Sequence, residues 1–271
     1  MTQPTLRLND GRQIPQLGLG LWQTGAGEAA EVVRSALATG YRHFDTAAIY
    51  GNEQGVGQGL KGAPRADIFV TTKLWNDAQG FDTTLRAAEE SLNKLGLDHV
   101  DLYLIHWPTP RRGLFVETWR ALIRLRDEGL ARSIGVSNFM PEHIERLIAE
   151  TGVTPAINQI ELHPRFQQRA LRTFHAERGI ATQSWAPLGR ARFLDDPVIA
   201  GLAARHGRTP AQIVIRWHLD EGLVAIPKTV RPERMKENFD VFGFTLDAGD
   251  RAALARLDRA DGRGGPDPMT F

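Results

Sequence analysis

The 271-residue chain contains no cysteine, which excludes disulfide bonds, thiolate metal sites and cysteine nucleophiles. An excess of charge of one sign is also missing, because 33 Lys and Arg residues nearly balance 32 Asp and Glu residues. This balance predicts no general attraction to nucleic acid or to a membrane, so any basic patch must be local. No apolar run approaches the ~18 residues of a membrane span, and the N-terminal MTQPTLRLNDGRQ lacks the apolar core of a signal peptide. We therefore expect a soluble, cytoplasmic protein.

Eight short apolar segments do recur along the chain, and segments with helical periodicity lie between them. The strand-like segments are residues 17–21, 42–45, 68–74, 100–107, 133–137, 156–162, 181–186 and 223–227. A strand followed by a helix, repeated eight times, predicts a parallel sheet that closes into a (β/α)8 TIM barrel. A barrel of this length is usually one domain, so we expect residues 1–271 to form a single α/β domain.

Three segments fall outside this alternation. Residues 6–15 hold Asp10 and Gly11 between two short apolar runs, which indicates an N-terminal β-hairpin below the barrel. Residues 196–207 and 246–258 have helical periodicity and predict two appended helices. The tail, residues 261–271, is rich in glycine and proline and is expected to be a loop. It is either a frayed terminus or a wall of the substrate pocket.

Four polar residues lie at or just beyond the carboxyl ends of the predicted strands, where barrels of this kind carry their active sites. They are Asp45, Tyr50, Lys73 and His106. Each alone has an ordinary explanation as a helix cap, a packing residue or a solvated charge. Together they predict acid catalysis: a nearby Lys73 ammonium lowers the pKa of Tyr50, Asp45 supplies the counter-charge, and His106 orients a substrate oxygen.

Three stretches of the chain resemble the signature sequences of the aldo-keto reductase superfamily: GYRHFDTAAIYGNEQGVG (40–57), IGVSNF (134–139) and IPKTVRPER (226–234). Between them, in the order that the family has, lie IHWP (105–108), NQIELHP (158–164) and APLG (186–189). The whole is most similar to a bacterial branch with 2,5-diketo-gluconate and methylglyoxal reductases. The resemblance implies hydride transfer from NADPH to an aldehyde or ketone such as an α-dicarbonyl, a ketoester or a sugar-derived carbonyl. It also implies a catalytic tetrad of Asp45, Tyr50, Lys73 and His106, with Tyr50 as general acid.

The same resemblance implies a set of cofactor contacts. Ser137, Asn138 and Gln159 would bind the nicotinamide carboxamide, although the first two could simply cap a helix. Trp185 would stack on the nicotinamide in place of the family's usual Tyr. Two cations and a hydroxyl, Lys228, Arg234 and Thr229, suit the 2′-phosphate of NADPH. The full implied set is Gly20, Leu21, Trp22, Ser137, Asn138, Gln159, Trp185, Ala186, Leu188, Gly189, Lys228, Thr229, Val230, Arg234, Glu237 and Asn238.

The substrate walls are expected to be apolar residues that follow the first four strands. They are Trp22, Ile49, Trp75 and Trp107, together with His106; their alternative role is packing under loops. No G-x-G-x-x-G fingerprint follows a strand, which favours a barrel over a Rossmann mode of dinucleotide binding. We expect no metal site, a small carbonyl compound as the partner, and a monomer.

Other functions remain open at this point. A Schiff-base aldolase or pyridoxal-phosphate enzyme would use Lys73 as nucleophile, and a glycosidase would pair Asp45 with Glu161. A regulatory module would bind NADPH without turnover. The intact tetrad argues against this last function.

Overall fold

The computed structural model describes residues 3–271, and the chain begins there with a β-hairpin. Strands β1 (Thr5–Arg7) and β2 (Gln13–Pro15) pair antiparallel with Leu6 opposite Ile14. Gly11 adopts φ 87° in the connecting turn, a left-handed conformation that glycine accepts without steric cost. Ile14 is completely buried with apolar residues from the start of the barrel strands. The hairpin therefore covers the amino-terminal end of the barrel, as predicted.

Eight parallel strands form the sheet, and each is hydrogen-bonded to the next in chain order. They are β3 (Leu19–Gly20), β4 (His43–Asp45), β5 (Phe69–Leu74), β6 (Val100–Ile105), β7 (Ala131–Ser137), β8 (Ile157–Glu161), β9 (Ala181–Trp185) and β10 (Val224–Ala225). Parallel bridges from Leu17 to Ala225 and from Gly20 to Lys228 join the first strand to the last. The sheet is thus a closed eight-stranded barrel, which confirms the predicted fold class.

Ten α-helices accompany the strands among residues 3–271. They are α1 (Ala29–Thr39), α2 (Glu53–Leu60), α3 (Phe81–Leu95), α4 (Phe115–Asp127), α5 (Pro141–Thr151), α6 (Arg169–Glu177), α7 (Pro197–His206), α8 (Pro210–Asp220), α9 (Pro232–Phe239) and α10 (Ala248–Ala255). Eight of them follow the barrel strands. The other two, α7 and α10, are the appended helices that the sequence predicts.

The boundaries of α8 show how the local sequence specifies a helix. The Thr209 side chain accepts a hydrogen bond from the Gln212 backbone N–H, and the Gln212 side chain accepts one from the Thr209 N–H. This reciprocal pair is a capping box, and Pro210 at the first helical position needs no hydrogen-bond partner for its nitrogen. Gly222 follows the helix with φ 70°.

The main core lies between the outer face of the barrel and the surrounding helices, where Trp119, Tyr41 and Phe44 are completely buried. The carboxyl-terminal end of the barrel interior is instead polar and holds Asp45, Lys73 and Gln159. No helix within residues 3–271 is long and apolar enough to cross a membrane.

Candidate active site

The four predicted catalytic residues meet at one end of the barrel. Asp45 is the last residue of β4, Lys73 lies near the end of β5, and His106 follows β6. Tyr50 comes from a short 3₁₀ turn, Ala48–Tyr50, after β4. Asp45, Tyr50 and His106 line a cavity of about 840 Å³, which is large enough for a dinucleotide end and a small substrate, whereas Lys73 is buried outside its lining. A second cavity of about 630 Å³ lies near the hairpin and contains none of the four.

Lys73 and Asp45 form a buried pair beneath this cavity. The Lys73 ammonium contacts the Asp45 carboxylate and donates to the Thr46 carbonyl at 2.8 Å. The other oxygen of Asp45 accepts from Gln159 Nε2 at 2.7 Å. Burial lowers the pKa of Lys73, but the charges of Asp45 and Tyr50 outweigh burial, so its pKa lies above its ordinary value. Burial raises the pKa of Asp45, and Lys73 and Gln159 offset only part of that increase. Lys73 is therefore a protonated group that is fixed in position.

The electrostatics of Tyr50 differ from the prediction in one respect. The Lys73 nitrogen lies 5.2 Å from the centre of the Tyr50 ring and, as expected, lowers the pKa of the phenol. Burial acts in the opposite direction and is the larger effect, and the charge of Asp45 adds to it, so the pKa of Tyr50 is raised overall. The cost of burying a phenolate depends on the tertiary structure and cannot be inferred from the positions of Tyr50 and Lys73 in the sequence. Tyr50 consequently keeps its proton at neutral pH, and Lys73 stabilises the negative charge that develops when the proton leaves.

His106 lies beside Tyr50 with a neutral imidazole ring. The two ring centres are 5.8 Å apart, and the Trp75 ring packs edge-on against His106 at 5.1 Å. Burial lowers the pKa of His106 well below its ordinary value, and the positive charge of Lys73 lowers it further. Its Nδ1 atom is buried without a hydrogen-bond partner among the described residues. A neutral imidazole in this position can hydrogen-bond a carbonyl oxygen without adding a second buried cation.

Ser137, Asn138, Gln159 and Trp185 form one hydrogen-bonded group along the opposite wall. Ser137 Oγ donates to the Gln159 carbonyl at 2.8 Å, and Asn138 Nδ2 donates to the His106 carbonyl at 3.1 Å. Trp185 Nε1 donates to Asn138 Oδ1 at 2.7 Å. Helix α5 has Met140 as its N-cap, so neither Ser137 nor Asn138 caps that helix. These bonds orient the amide groups and the indole around the cavity.

The chain turns sharply at two positions in this wall. Asn138 has φ 62° and Ala186 has φ 47°, conformations that are costly for residues other than glycine. Gly189 also has a positive φ, and a Cβ there would lie 2.0 Å from the Phe193 ring. A Cβ on Gly20, across the cavity, would lie 2.7 Å from the Ile226 carbonyl. Both glycines are thus required by close packing.

Most of the predicted cofactor and substrate residues line the cavity. From the predicted cofactor set these are Gly20, Trp22, Ser137, Asn138, Gln159, Trp185, Ala186, Leu188 and Lys228. All five predicted substrate residues, Trp22, Ile49, Trp75, His106 and Trp107, also line it. The predicted cofactor residues outside this lining are Leu21, Gly189, Thr229, Val230, Arg234, Glu237 and Asn238. The Leu21 side chain is buried, its N–H donates to Asp45 and its carbonyl accepts from Asn52, so its backbone is already hydrogen-bonded.

Of the predicted phosphate-binding residues, Lys228 lines the cavity, whereas Thr229 and Arg234 do not. Lys228 and Arg234 are exposed, and neither forms an ion pair with a carboxylate among residues 3–271. The buried Thr229 hydroxyl accepts from the Arg231 N–H at 3.1 Å. Two free cations beside a hydroxyl form a suitable site for a dianionic phosphate.

Glu237 and Asn238, two further residues of the predicted cofactor set, lie on α9 and differ in their surroundings. Asn238 is buried in α9. The carboxylate of Glu237 accepts a hydrogen bond from the Thr209 hydroxyl at 2.7 Å and so supports the start of α8. Glu237 therefore already has a structural contact on the neighbouring helix.

Comparison with known proteins identifies the family. The sequence model of the aldo/keto reductase family matches residues 16–259.

The chain is a member of the aldo/keto reductase family.

Full-length relatives agree with this assignment. An aldo-keto reductase from Mycolicibacterium smegmatis is 55% identical over 270 residues, which are 99% of this chain and 98% of that protein. The methylglyoxal reductase DkgA of Yersinia pestis is 53% identical over 273 residues, with coverage of 99% and 98%. The crystal structure of a Gox0644 mutant in complex with NADPH superposes with a TM-score of 0.98 at 56% identity, covering 100% of this chain and 99% of that one.

This aldo/keto reductase also lines its cavity with residues that the sequence analysis missed. They are Gln23, Pro187, Arg190, Ile226, Pro227, Pro266 and Phe271. The Phe271 ring packs against Trp107 at 4.6 Å, and the Arg190 guanidinium lies 4.9 Å from the centre of the Trp22 ring. Gln23, Pro187 and Arg190 adjoin predicted residues in the sequence, whereas no local pattern indicates that the tail reaches the cavity. Of the two roles considered for the tail, the structure supports a wall of the pocket.

Proposed function

We propose that this member of the aldo/keto reductase family reduces small aldehydes and ketones with NADPH, with Tyr50 as the general acid. The observation that carries the proposal is the phenol of Tyr50, with the buried Lys73 ammonium beside its ring, in the same cavity that Lys228 lines. The added phosphate of NADPH would bind Lys228 and Arg234, and the carbonyl oxygen of the substrate would lie between Tyr50 and His106.

NADPH supplies the hydride that reduces the carbonyl carbon. In the proposed reaction the chain's own residues act on the carbonyl oxygen. Tyr50 Oη donates its proton to that oxygen, and neutral His106 hydrogen-bonds and orients it. Lys73 stabilises the phenolate left on Tyr50, because its positive charge lies next to the ring and is held there by Asp45 and the Thr46 carbonyl. The aromatic side chains at the mouth exclude water from the reacting atoms.

Three alternative functions are less compatible with the geometry of the site. A Schiff-base mechanism needs Lys73 neutral and in contact with substrate, whereas its raised pKa keeps it protonated and it does not line the cavity. A glycosidase would need Glu161 free to face Asp45, whereas both oxygens of Glu161 accept backbone N–H groups of the tail. A regulatory NADPH-binding module would have no use for the buried Lys73–Asp45 pair beneath Tyr50.

Compact carbonyl compounds are the proposed substrates. Trp22 is 41% exposed and Ile49 is 49% exposed at the mouth, while Trp107 and Phe271 narrow it from the other side. An apolar lining with these aromatic side chains favours α-dicarbonyls such as methylglyoxal, small ketoesters and sugar-derived carbonyls, and the relatives named methylglyoxal reductase support that class. A single domain comprising residues 1–271, a monomeric state and a cytoplasmic location complete the proposal.

The experiment that tests the proposal is the Tyr50→Phe substitution. Loss of the general acid should reduce kcat for NADPH-dependent reduction of methylglyoxal by about 10²-fold or more, while the NADPH dissociation constant stays within a few-fold. Tyr103→Phe is the matched control, because Tyr103 is buried in β6 and does not line the cavity. If Tyr50→Phe retained most of the wild-type kcat, Tyr50 would not be the acid.

A further inference from the structure

Glu161 makes an unusual contact at the end of β8. Its side chain is buried, and the whole residue is 4% exposed. One carboxylate oxygen accepts the Gly264 N–H at 2.9 Å, and the other accepts the Gly265 N–H at 2.9 Å. Two consecutive backbone groups of the tail thus bind both oxygens of one carboxylate that is distant in sequence. Glu161 does not line the cavity, so it does not contact substrate or cofactor directly.

Several features keep this carboxylate charged and in place. Burial raises the pKa of Glu161, but hydrogen bonds from His163 and from the two glycine N–H groups outweigh burial, so its pKa lies below its ordinary value. His163 Nε2 lies 3.5 Å from one of the oxygens. A Cβ on Gly264 would lie 3.1 Å from the Arg192 guanidinium, which places a cation beside the same contact. Hydrogen bonds from N–H groups to an ionised acceptor are stronger than those between neutral groups.

Beyond its contact with Glu161, the tail packs against a predicted cofactor residue and against predicted substrate residues. A Cβ on Gly265 would lie 2.5 Å from the Trp185 indole, so the tail backbone rests directly on the residue implied to stack on the nicotinamide. Pro266 then lines the cavity, and Phe271 packs against Trp107 and, at 6.5 Å, against Trp75. Most of the tail is exposed between these contacts.

We propose that Glu161 is a positioning residue that holds residues 264–271 across the mouth of the active site. We call its two hydrogen bonds to Gly264 and Gly265 the latch. Through this latch the carboxylate sets the position of the Phe271 wall for the substrate and presses the tail backbone onto Trp185, which slows release of the dinucleotide. The functional half of this proposal rests on the proposed NADPH-dependent reduction, whereas the contact between Glu161 and the tail does not.

Two variants open the latch by different routes. Glu161→Gln keeps the side-chain shape but replaces one acceptor oxygen with an NH₂ group that faces a backbone N–H. Gly265→Ala leaves Glu161 intact and displaces the tail, because its added methyl group meets the Trp185 indole. Its cleavage rate, which does not depend on the cofactor, decides the question if Glu161→Gln fails to fold. The matched controls are Glu177→Gln, on the exposed face of α6, and Gly201→Ala in α7, where an added Cβ meets nothing within 4 Å.

The first measurement is tryptic cleavage after Arg263, with release of residues 264–271 followed by mass spectrometry. Loss of one charge-assisted hydrogen bond should increase the population of the open tail, and therefore the cleavage rate, by about 10-fold or more. Both latch variants should be cleaved faster than wild type and both controls at the wild-type rate. Wild-type rates in the latch variants would overturn the proposal.

The second measurement separates a positioning role from a purely structural one. Both latch variants should release NADPH faster in stopped-flow fluorescence and should change KM more for an aromatic aldehyde than for methylglyoxal, with kcat for methylglyoxal within a few-fold of wild type. Faster cleavage with unchanged NADPH release and an unchanged KM ranking would show that the tail is held by Glu161 without acting on the site, which overturns the proposed role. The cleavage result stands independently of the proposed function, because it needs no turnover. If the wild-type protein reduced no carbonyl with NADPH, the proposed function alone would fail.

Discussion

Replacing both Lys228 and Arg234 with alanine should remove the preference for NADPH over NADH. Both side chains are exposed and neither forms an ion pair with a carboxylate among residues 3–271, so their charges are available to a bound phosphate. The 2′-phosphate is the group that distinguishes the two cofactors. NADH has no such phosphate, so its affinity should not change when the two cations are removed.

The expected magnitude follows from the exposure of the two side chains. A unit charge pair at 4 Å contributes about 1 kcal/mol in a water-like environment and about 4 kcal/mol at the intermediate dielectric of a protein surface. Two exposed cations should therefore favour NADPH by about 2 to 4 kcal/mol, or roughly 30- to 1000-fold in dissociation constant. The double variant should lose most of this margin, and the wild-type preference should shrink with added salt, because exposed charges are screened.

The assay is quenching of tryptophan fluorescence, which gives the dissociation constants of NADPH and NADH for each protein. Lys61→Ala combined with Arg251→Ala is the matched control, because it lowers the net charge equally with exposed side chains outside the cavity lining. The control should bind NADPH as wild type does. Equal wild-type affinity for NADH and NADPH would refute the assigned phosphate site, and a similar loss in the control would show a general charge effect.

Three further predictions concern catalysis. Lys73→Met should nearly abolish reduction, because it removes the charge that stabilises the Tyr50 phenolate and leaves Asp45 buried without its partner; kcat comparable to that of wild type would contradict this. Because Tyr50 acts as an acid in its protonated form and its pKa is raised, kcat/KM should stay level from about pH 6 to about pH 9 and fall only above that range. Because the pKa of His106 is lowered, kcat/KM should not change as the pH passes the ordinary histidine pKa of about 6.5. A change of kcat/KM near that pH would indicate that His106 titrates there. Phe271→Ala should alter the ranking of kcat/KM between aromatic and small aldehydes without changing the NADPH dissociation constant, and an unchanged ranking would exclude Phe271 as a substrate wall.

The repeated features of the chain were predictable from local sequence. Each barrel strand is a short apolar run and each helix has its own periodicity and caps, as in the capping box at Thr209, so their number and order can be determined without tertiary contacts. The same holds for the positions of Asp45, Lys73 and His106, because strand ends in a parallel barrel meet at one rim.

Properties that depend on distance and burial were decided by the tertiary structure. The sequence places an ammonium near Tyr50, which lowers its pKa, but the enclosure of the phenol by the surrounding loops raises it further than Lys73 lowers it. Glu237 fits a cofactor role by position, yet packing of α9 against α8 gives its carboxylate to Thr209. The last contrast is the tail: its glycine-rich composition equally suits a frayed end and a pocket wall. A contact 103 residues away along the chain, from Gly264 to Glu161, holds the tail against the active site, because hydrogen bonds between segments so distant in sequence exist only once the barrel has brought them together.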